Sequence, residues 1–135
     1  MNSLEVGDEL EPLVIESVDP GHMKTMAMLL RDPNPIHWDT EVTRQLGLGE
    51  KPINQGPISL SYLMELAIRP AGSDRAALRR FRVRFVGNVL AGQRVECTGR
   101  VVAIDEEAGT AELELAATAN GQPVLEGDAT IVRPG

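Results

Sequence analysis

One segment limits the possible folds of this chain more than any other. The stretch Gly56–Ile68 is apolar on nearly every side when it is drawn as a helix. Pro57 suits the first turn of a helix, and Pro70 with Gly72 ends it. Because a helix without a wide polar face is usually buried in a globular protein, we expect the other elements to cover this one on most sides.

The second half of the chain alternates as half-buried strands do. Arg80–Val86 has a clean period of two. Three further strands are predicted at Val95–Ile104, around Glu112–Ala116 and at Val124–Val132. Asn120-Gly121 is a strong hairpin signal between the last two. The pattern therefore predicts four consecutive strands joined by hairpins.

The first half supplies one strand and two more helices. Leu4–Val18 is predicted to be extended, and Pro20–Leu30 to be a helix with proline at its first position. A short helix capped by Asp39 or Thr40 is predicted to run to Leu46. Strands segregated from helices indicate an α+β domain, and a long central helix wrapped by a curved antiparallel sheet is the hot-dog fold. The 135 residues fit one such domain, 1–135.

Composition excludes several classes of function. Thirteen basic residues against twenty acidic ones give a net charge of -7, which argues against nucleic acid and anionic membrane surfaces as partners. Cys97 is the single cysteine, so an intrachain disulfide is impossible and a cytoplasmic location is expected. The histidines and the cysteine show no metal-site spacing. No apolar run reaches the ~18 residues that span a bilayer, and the first residues do not resemble a signal peptide.

The chemistry of the chain is concentrated in one proline-stiffened loop, which runs Asp32-Pro33-Asn34-Pro35-Ile36-His37. The two prolines exclude regular helix and hold a carboxylate and an imidazole in a fixed relation. An imidazole can both accept and donate a proton near neutral pH. The alternative is structural, because Asp and Asn before proline are ordinary turn residues and His37 then lies on the surface.

The same stretch resembles the signature of the MaoC-like dehydratases and type-2 (R)-specific enoyl-CoA hydratases, which is Gly-Asp-x-Asn-Pro-[Leu/Ile/Val]-His-x-[Asp/Asn]. The matching residues are Asp32, Asn34, Pro35, Ile36, His37 and Asp39. A later strand and turn of that family also resemble this chain, over the stretch from Arg82–Phe85 to Gly92-Gln93. Two positions depart from the pattern: Arg31 replaces glycine, and Gln55 replaces the histidine before Gly56. Both departures are expected to change the shape of the loop and the mouth of the pocket. Neither removes a residue of the acid/base pair.

The resemblance implies a hydro-lyase that acts on acyl thioesters of coenzyme A or acyl carrier protein, without a further cofactor. It implies that Asp32 and His37 are the acid/base pair and that Asn34 orients the water or the loop. The Gly56 N–H, at a helix N-terminus, would stabilise charge on the thioester carbonyl. Ser61 would line the site, or is simply a polar residue on a helix face.

Other residues carry weaker hypotheses. Arg80, Arg82 and Arg84 share one strand face, so Arg82 and Arg84 are candidates to contact carrier phosphates, although such a row is more often solvated. Glu65 on the central helix suggests a hot-dog thioesterase as an alternative, or an acid at a dimer seam.

Remaining expectations concern assembly and two single residues. A non-catalytic subunit of a heteromeric dehydratase is a further alternative. We expect a homodimer, or a heterodimer with another hot-dog chain, because an open sheet edge is hazardous. His22 is expected on the surface and Cys97 in the core.

Overall fold

The computed structural model describes residues 4–30, 34, 36, 39–49, 51–54 and 56–134, and for Leu30 the main chain only. The three helices are α1 Pro20–Leu30, α2 Thr40–Gln45 and α3 Gly56–Ile68. Two single 3₁₀ turns, Arg69–Ala71 and Arg75–Ala77, follow α3. The five strands are β1 Leu13–Ile15, β2 Leu78–Phe85, β3 Val95–Asp105, β4 Thr110–Ala119 and β5 Gln122–Val132. The predicted α+β hot-dog fold is confirmed.

The helix ends lie where local signals predicted them. α1 and α3 have the predicted bounds. α2 begins after Asp39, whose carboxylate accepts hydrogen bonds from the N–H groups of Glu41 and Val42. It ends before Leu46, and Gly47 follows with a φ of 72°. A side-chain cap at the start and a left-handed glycine after the end are the ordinary limits of a helix.

One antiparallel sheet contains all five strands, in the order β1-β3-β4-β5-β2. β3 with β4 and β4 with β5 form the predicted hairpins. In the second hairpin, Asn120 and Gly121 have φ values of 47° and 82°. Positive φ at both central residues is what a type I′ turn requires, and this turn suits the twist of the strands that it joins.

The prediction of a hairpin between β2 and β3 is wrong. β2 pairs with β5 and forms an edge of the sheet, whereas β3 lies on the other side of β4. The connection from residue 86 to 94 makes its hydrogen bonds elsewhere: the Ala91 N–H donates to the Pro52 carbonyl (2.9 Å) and the Gly92 N–H to the Val18 carbonyl (2.8 Å). It therefore crosses to the other half of the sheet instead of turning back.

Helix α3 packs one side against the sheet, and the prediction that it is covered on most sides is wrong for the single chain. Its buried residues are Ile58, Ser59, Leu63, Leu66, Ala67 and Ile68. Ser61, Met64 and Glu65 on the other side are exposed. The five strands form one sheet on one side of the helix. Because α3 is apolar on nearly every side, part of its apolar surface stays exposed in the single chain.

The core between α3 and the sheet is aliphatic, as a chain with two Phe, one Trp and one Tyr requires. Its largest fully buried side chains include Met23, Leu63, Leu66, Leu113, Leu115, Leu125 and Ile131. Each such side chain contributes about 1.5–3 kcal/mol when it leaves water. No helix in the described part of the chain is both long and apolar enough to cross a lipid bilayer.

Cys97 on β3 is completely buried, which confirms its expected place in the core. Burial raises the pKa of its thiol to about 12, a nearby Arg69 partly opposes this rise, and Glu96 adds to it. The uncharged thiol is therefore the form that the folded chain stabilises.

We expect the free energy of unfolding to fall as the pH rises from about 9 towards 12, with Cys97 contributing at most about 1.4 kcal/mol per pH unit. Above pH 9 the unfolded chain releases the thiol proton while the folded chain retains it. Urea denaturation at several pH values measures the slope. In Cys97→Ala the decline should be shallower, and equal slopes in the two proteins would contradict this assignment.

Candidate active site at the start of helix α3

The motif loop is described at two of its residues. Asp32 and His37, the predicted acid/base pair, lie outside the described residues, and so do the departures Arg31 and Gln55. Asn34 Oδ1 accepts a hydrogen bond from the Ile36 N–H at 3.2 Å. This is the local turn bond that Asn makes to a backbone N–H two residues on. Asn34 thus holds the loop's own backbone.

A second hydrogen bond connects this loop to the start of α3. The Ile53 N–H donates to the Ile36 carbonyl at 2.8 Å. The next N–H, that of Asn54, donates to the Val89 carbonyl at 2.6 Å, and Ile53 forms an isolated bridge with Leu90. The segment 51–54 therefore lies between the motif loop and the β2–β3 connection, bonded to both, and it leads to α3.

Gly56 is the first residue of α3. The first N–H groups of a helix lack intrahelical acceptors and lie at the positive end of the helix dipole, so they favour a negatively charged group. A Cβ at Gly56 would lie 3.2 Å from Cζ of Phe85, whose side chain is about half exposed. Glycine thus also makes room for an aromatic ring, a contact that the sequence did not indicate.

Ser61 and Glu65 lie on the exposed side of α3. Ser61 Oγ donates to the Ile58 carbonyl at 2.5 Å. Glu65 pairs with Arg69, with 3.7 Å between its Oε1 and the Arg69 Nε, and it accepts a hydrogen bond from Ser73 Oγ at 3.4 Å. Glu65 therefore lies on the side of α3 opposite the sheet, and both hypotheses for it, a thioesterase carboxylate and an acid at a dimer seam, stay predictions.

A cleft of about 350 Å³ opens beside this helix face. Its lining is mainly apolar and comprises Ser61, Met64, Glu65, Ile68, Arg75 and Leu78. Among the side chains that the structure describes, no group of three His, Cys, Asp or Glu residues is arranged to hold a metal ion.

The structure adds one polar residue that the sequence did not indicate. Asn54 is buried, and its Nδ2 donates to Ser59 Oγ at 3.0 Å and to the Tyr62 hydroxyl at 3.4 Å. Within the described part of the chain, its Oδ1 has no hydrogen-bond partner. A buried carbonyl in that condition costs about 1–3 kcal/mol. Burial raises the pKa of Tyr62, and the hydrogen bond from Asn54 partly lowers it.

The arginine row on β2 faces away from α3. Two of its three members lie opposite acids on β5, and Arg80 lies opposite Thr130. Arg82 lies opposite Asp128 and bonds to it at 3.0 Å, and Arg84 lies opposite Glu126 at 2.9 Å. All four side chains are exposed or nearly so, and such pairs contribute about 0–1 kcal/mol each. His22 is also exposed, 3.5 Å from Asp19, which confirms its predicted surface position.

Comparisons with known proteins agree with this architecture. The family model described as "MaoC like domain" matches residues 4–121. A solved structure described as a MaoC-like dehydratase is 25% identical with a TM-score of 0.87, and the alignment covers 95% of this chain and 40% of that one. This chain thus spans two fifths of the length of that protein. No curated protein matches the chain.

Two further structures share the fold over nearly their whole length. The (R)-hydratase from A. caviae, described as involved in PHA biosynthesis, is 24% identical with a TM-score of 0.80, covering 99% of this chain and 100% of that one. A chain of the ChsH1-ChsH2 complex from Mycobacterium tuberculosis is 15% identical with a TM-score of 0.81, covering 96% and 98%. At these identities the likeness concerns the fold alone.

Proposed function

Because this chain belongs to the MaoC-like dehydratase family, we propose that it hydrates trans-2-enoyl thioesters to (R)-3-hydroxyacyl thioesters and catalyses the reverse dehydration. One observation carries the proposal: the 2.8 Å hydrogen bond from the Ile53 N–H to the Ile36 carbonyl. It joins the residue beside His37 in sequence to the segment that leads directly to Gly56. Ile36 of the loop that contains the proposed acid/base pair is thus bonded to the segment that precedes a helix N-terminus, where negative charge is favoured, and this supports the proposal.

The proposed reaction uses each part of this structure. In hydration, the Asp32 carboxylate accepts a proton from a water molecule as its oxygen adds to C3, and His37 donates a proton to C2. Negative charge that develops on the thioester carbonyl oxygen is stabilised by the Gly56 N–H. Asn34 keeps the loop in place through the Ile36 N–H. Ser61 is proposed to line the site on the cleft side of α3.

We expect Asp32→Asn and His37→Ala each to lower kcat for hydration by about 10²–10⁴-fold, the usual contribution of a positioned acid or base. Loss of enoyl absorbance with crotonyl-CoA and longer trans-2-enoyl-CoA esters measures this. Glu65→Gln is the matched control on α3 and should keep its activity. Full hydration activity in either motif variant would contradict the assignment.

The thioesterase alternative makes a different prediction in the same samples. It requires Glu65 to act as base or nucleophile, yet that carboxylate is about half exposed, near Arg69 and accepting a bond from Ser73. Thiol release that Glu65→Gln abolishes would replace the hydratase with a thioesterase. Absence of both activities would favour the third alternative, a subunit that needs a different hot-dog chain.

We further propose that a second hot-dog subunit, identical or related, pairs along the β2 edge. β2 is an outer strand of the sheet, and an open edge readily accepts another strand. Phe85 and Val86 at its end and Met64 on α3 are exposed apolar side chains in this part of the chain. A partner here would cover the side of α3 that the sheet leaves open.

Sedimentation velocity should show a dimer that Val86→Asp weakens at least about tenfold, because burying an unpaired charge in an interface costs several kcal/mol. Val102→Asp is the matched control: Val102 is 40% exposed against 41% for Val86, but it lies on the interior strand β3. Equal weakening by both substitutions, or a monomeric parent protein, would exclude this interface.

Contact between carrier phosphates and Arg82 or Arg84 stays a prediction. It requires each guanidinium to exchange an exposed carboxylate for a phosphate, which costs little for pairs of about 0–1 kcal/mol. If the contact exists, Arg82→Ala and Arg84→Ala should raise KM several-fold, roughly 1 kcal/mol per lost contact, for enoyl-CoA. KM for an enoyl-pantetheine, which has no phosphate, should not change; an equal rise for both substrates would exclude the contact. A cytoplasmic location also stays an expectation, based on the cysteine count.

A further inference from the structure

Asn54 bonds to two separate parts of the fold at once. Its backbone N–H donates to the Val89 carbonyl of the β2–β3 connection at 2.6 Å. Its side-chain Nδ2 donates to Ser59 Oγ and to the Tyr62 hydroxyl, both on α3. Asn54 and Ser59 are 5% and 3% exposed, so these bonds form away from water. In such surroundings a hydrogen bond constrains geometry more strongly than at the surface.

The neighbours of Asn54 in sequence connect it to the candidate site. Ile53, directly before it, donates its N–H to Ile36 of the motif loop. Gly56 begins α3 two residues after it. Any rotation of the backbone at residue 54 therefore changes the position of Gly56 relative to the motif loop. The side-chain bonds to Ser59 and Tyr62 oppose such a rotation, because they fix residue 54 to the first two turns of α3.

The oxygen end of the Asn54 carboxamide does not by itself stabilise the fold. Its Oδ1 has less than 1 Å² of accessible surface and finds no donor among the residues that the structure describes. An apolar side chain of similar shape would remove that unpaired acceptor. An unsatisfied buried polar group in a native fold calls for an explanation other than its own contribution to stability.

We propose that Asn54 is a positioning residue that holds the Gly56 N–H at a fixed place relative to the motif loop. It acts through Gly56 and touches no reacting atom. The inference rests on the proposed hydratase function for its effect on turnover, and on the bonds of Ile53, Ser59 and Tyr62 for its effect on structure. The two effects are measured separately.

The experiment compares Asn54→Leu with the parent protein, with Thr130→Val as the control. Thr130 Oγ1 on β5 donates to the Glu112 carboxylate on β4 at 2.6 Å. Thr130→Val therefore loses one side-chain hydrogen bond that joins two strands of the sheet and does not involve α3. Asn54→Leu should keep its thermal midpoint within a few degrees and lower kcat by about 10- to 100-fold, since small misplacements of a catalytic group have effects of that size. KM should change much less. Thr130→Val should keep its kcat.

A kcat within twofold of the parent in a folded Asn54→Leu protein would overturn the proposal. The proposal would also be overturned if the thermal midpoint of Asn54→Leu fell so far that the smaller fraction of folded protein accounted for the whole fall in kcat. If Asn54→Leu does not fold, Ser59→Ala replaces it. That variant removes the 3.0 Å bond from Asn54 Nδ2 and should lower kcat too, by a smaller factor.

Two measurements need no substrate. Tyr62 is the only tyrosine, so its alkaline absorbance titration is free of overlap; losing the Asn54 donor should raise the pKa of Tyr62. Amide exchange of Ile53 should become faster in Asn54→Leu. If Asn54→Leu shows both changes but the parent protein has no hydratase activity, the proposed function is refuted and the positioning role of Asn54 is retained. Unchanged exchange and titration would refute the positioning role, whatever the activity.

Discussion

The burial of one side of α3 against the sheet is the interaction on which the rest of this structure depends. Leu63 and Leu66 on the helix are fully buried with Leu113, Leu115 and Leu125 on the strands. This packing fixes the position of α3 on the sheet, and therefore where the N–H groups of its first turn lie. The segment before the helix then bonds to the motif loop on one side and to the β2–β3 connection on the other. The position of the first N–H groups of α3 thus depends on aliphatic packing along the helix.

Much of the fold was predictable because its signals are local. Proline in the first turn marks the start of α1 and of α3, the Asp39 cap and Gly47 mark the limits of α2, and Asn120-Gly121 marks a hairpin. The pairing of β2 with β5 was not predictable in this way, because it depends on strands more than 40 residues apart and on the hydrogen bonds of the crossing connection. An alternating pattern identifies a strand but does not identify its neighbour.

The candidate site also combines local signals, which the sequence shows, with contacts between distant parts of the chain, which it does not show. The spacing from Asp32 to His37 and the glycine at position 56 are visible in the sequence, whereas Asn54 has no comparable signal. A single Asn in a loop becomes informative only when Ser59 and Tyr62 are seen to approach it from the helix. Glu65 shows the opposite case: a carboxylate in an apolar helix suggests burial, but the one-sided packing of α3 leaves it exposed. Which side of a helix is covered depends on the sheet, and the sheet is a non-local structure.

The place of β2 in the sheet also has a consequence for the order in which the molecule forms. β2 follows α3 directly in the chain but is bonded to β5. During synthesis β2 must therefore wait for β5, which emerges after β3 and β4. Pairing over such a sequence separation is slow, and apolar surfaces that wait for it are prone to aggregate. During synthesis on the ribosome, the apolar side of α3 would be without β3, β4 and β5 until those strands emerge. We therefore expect the yield of this fold to depend on chaperones and on translation speed.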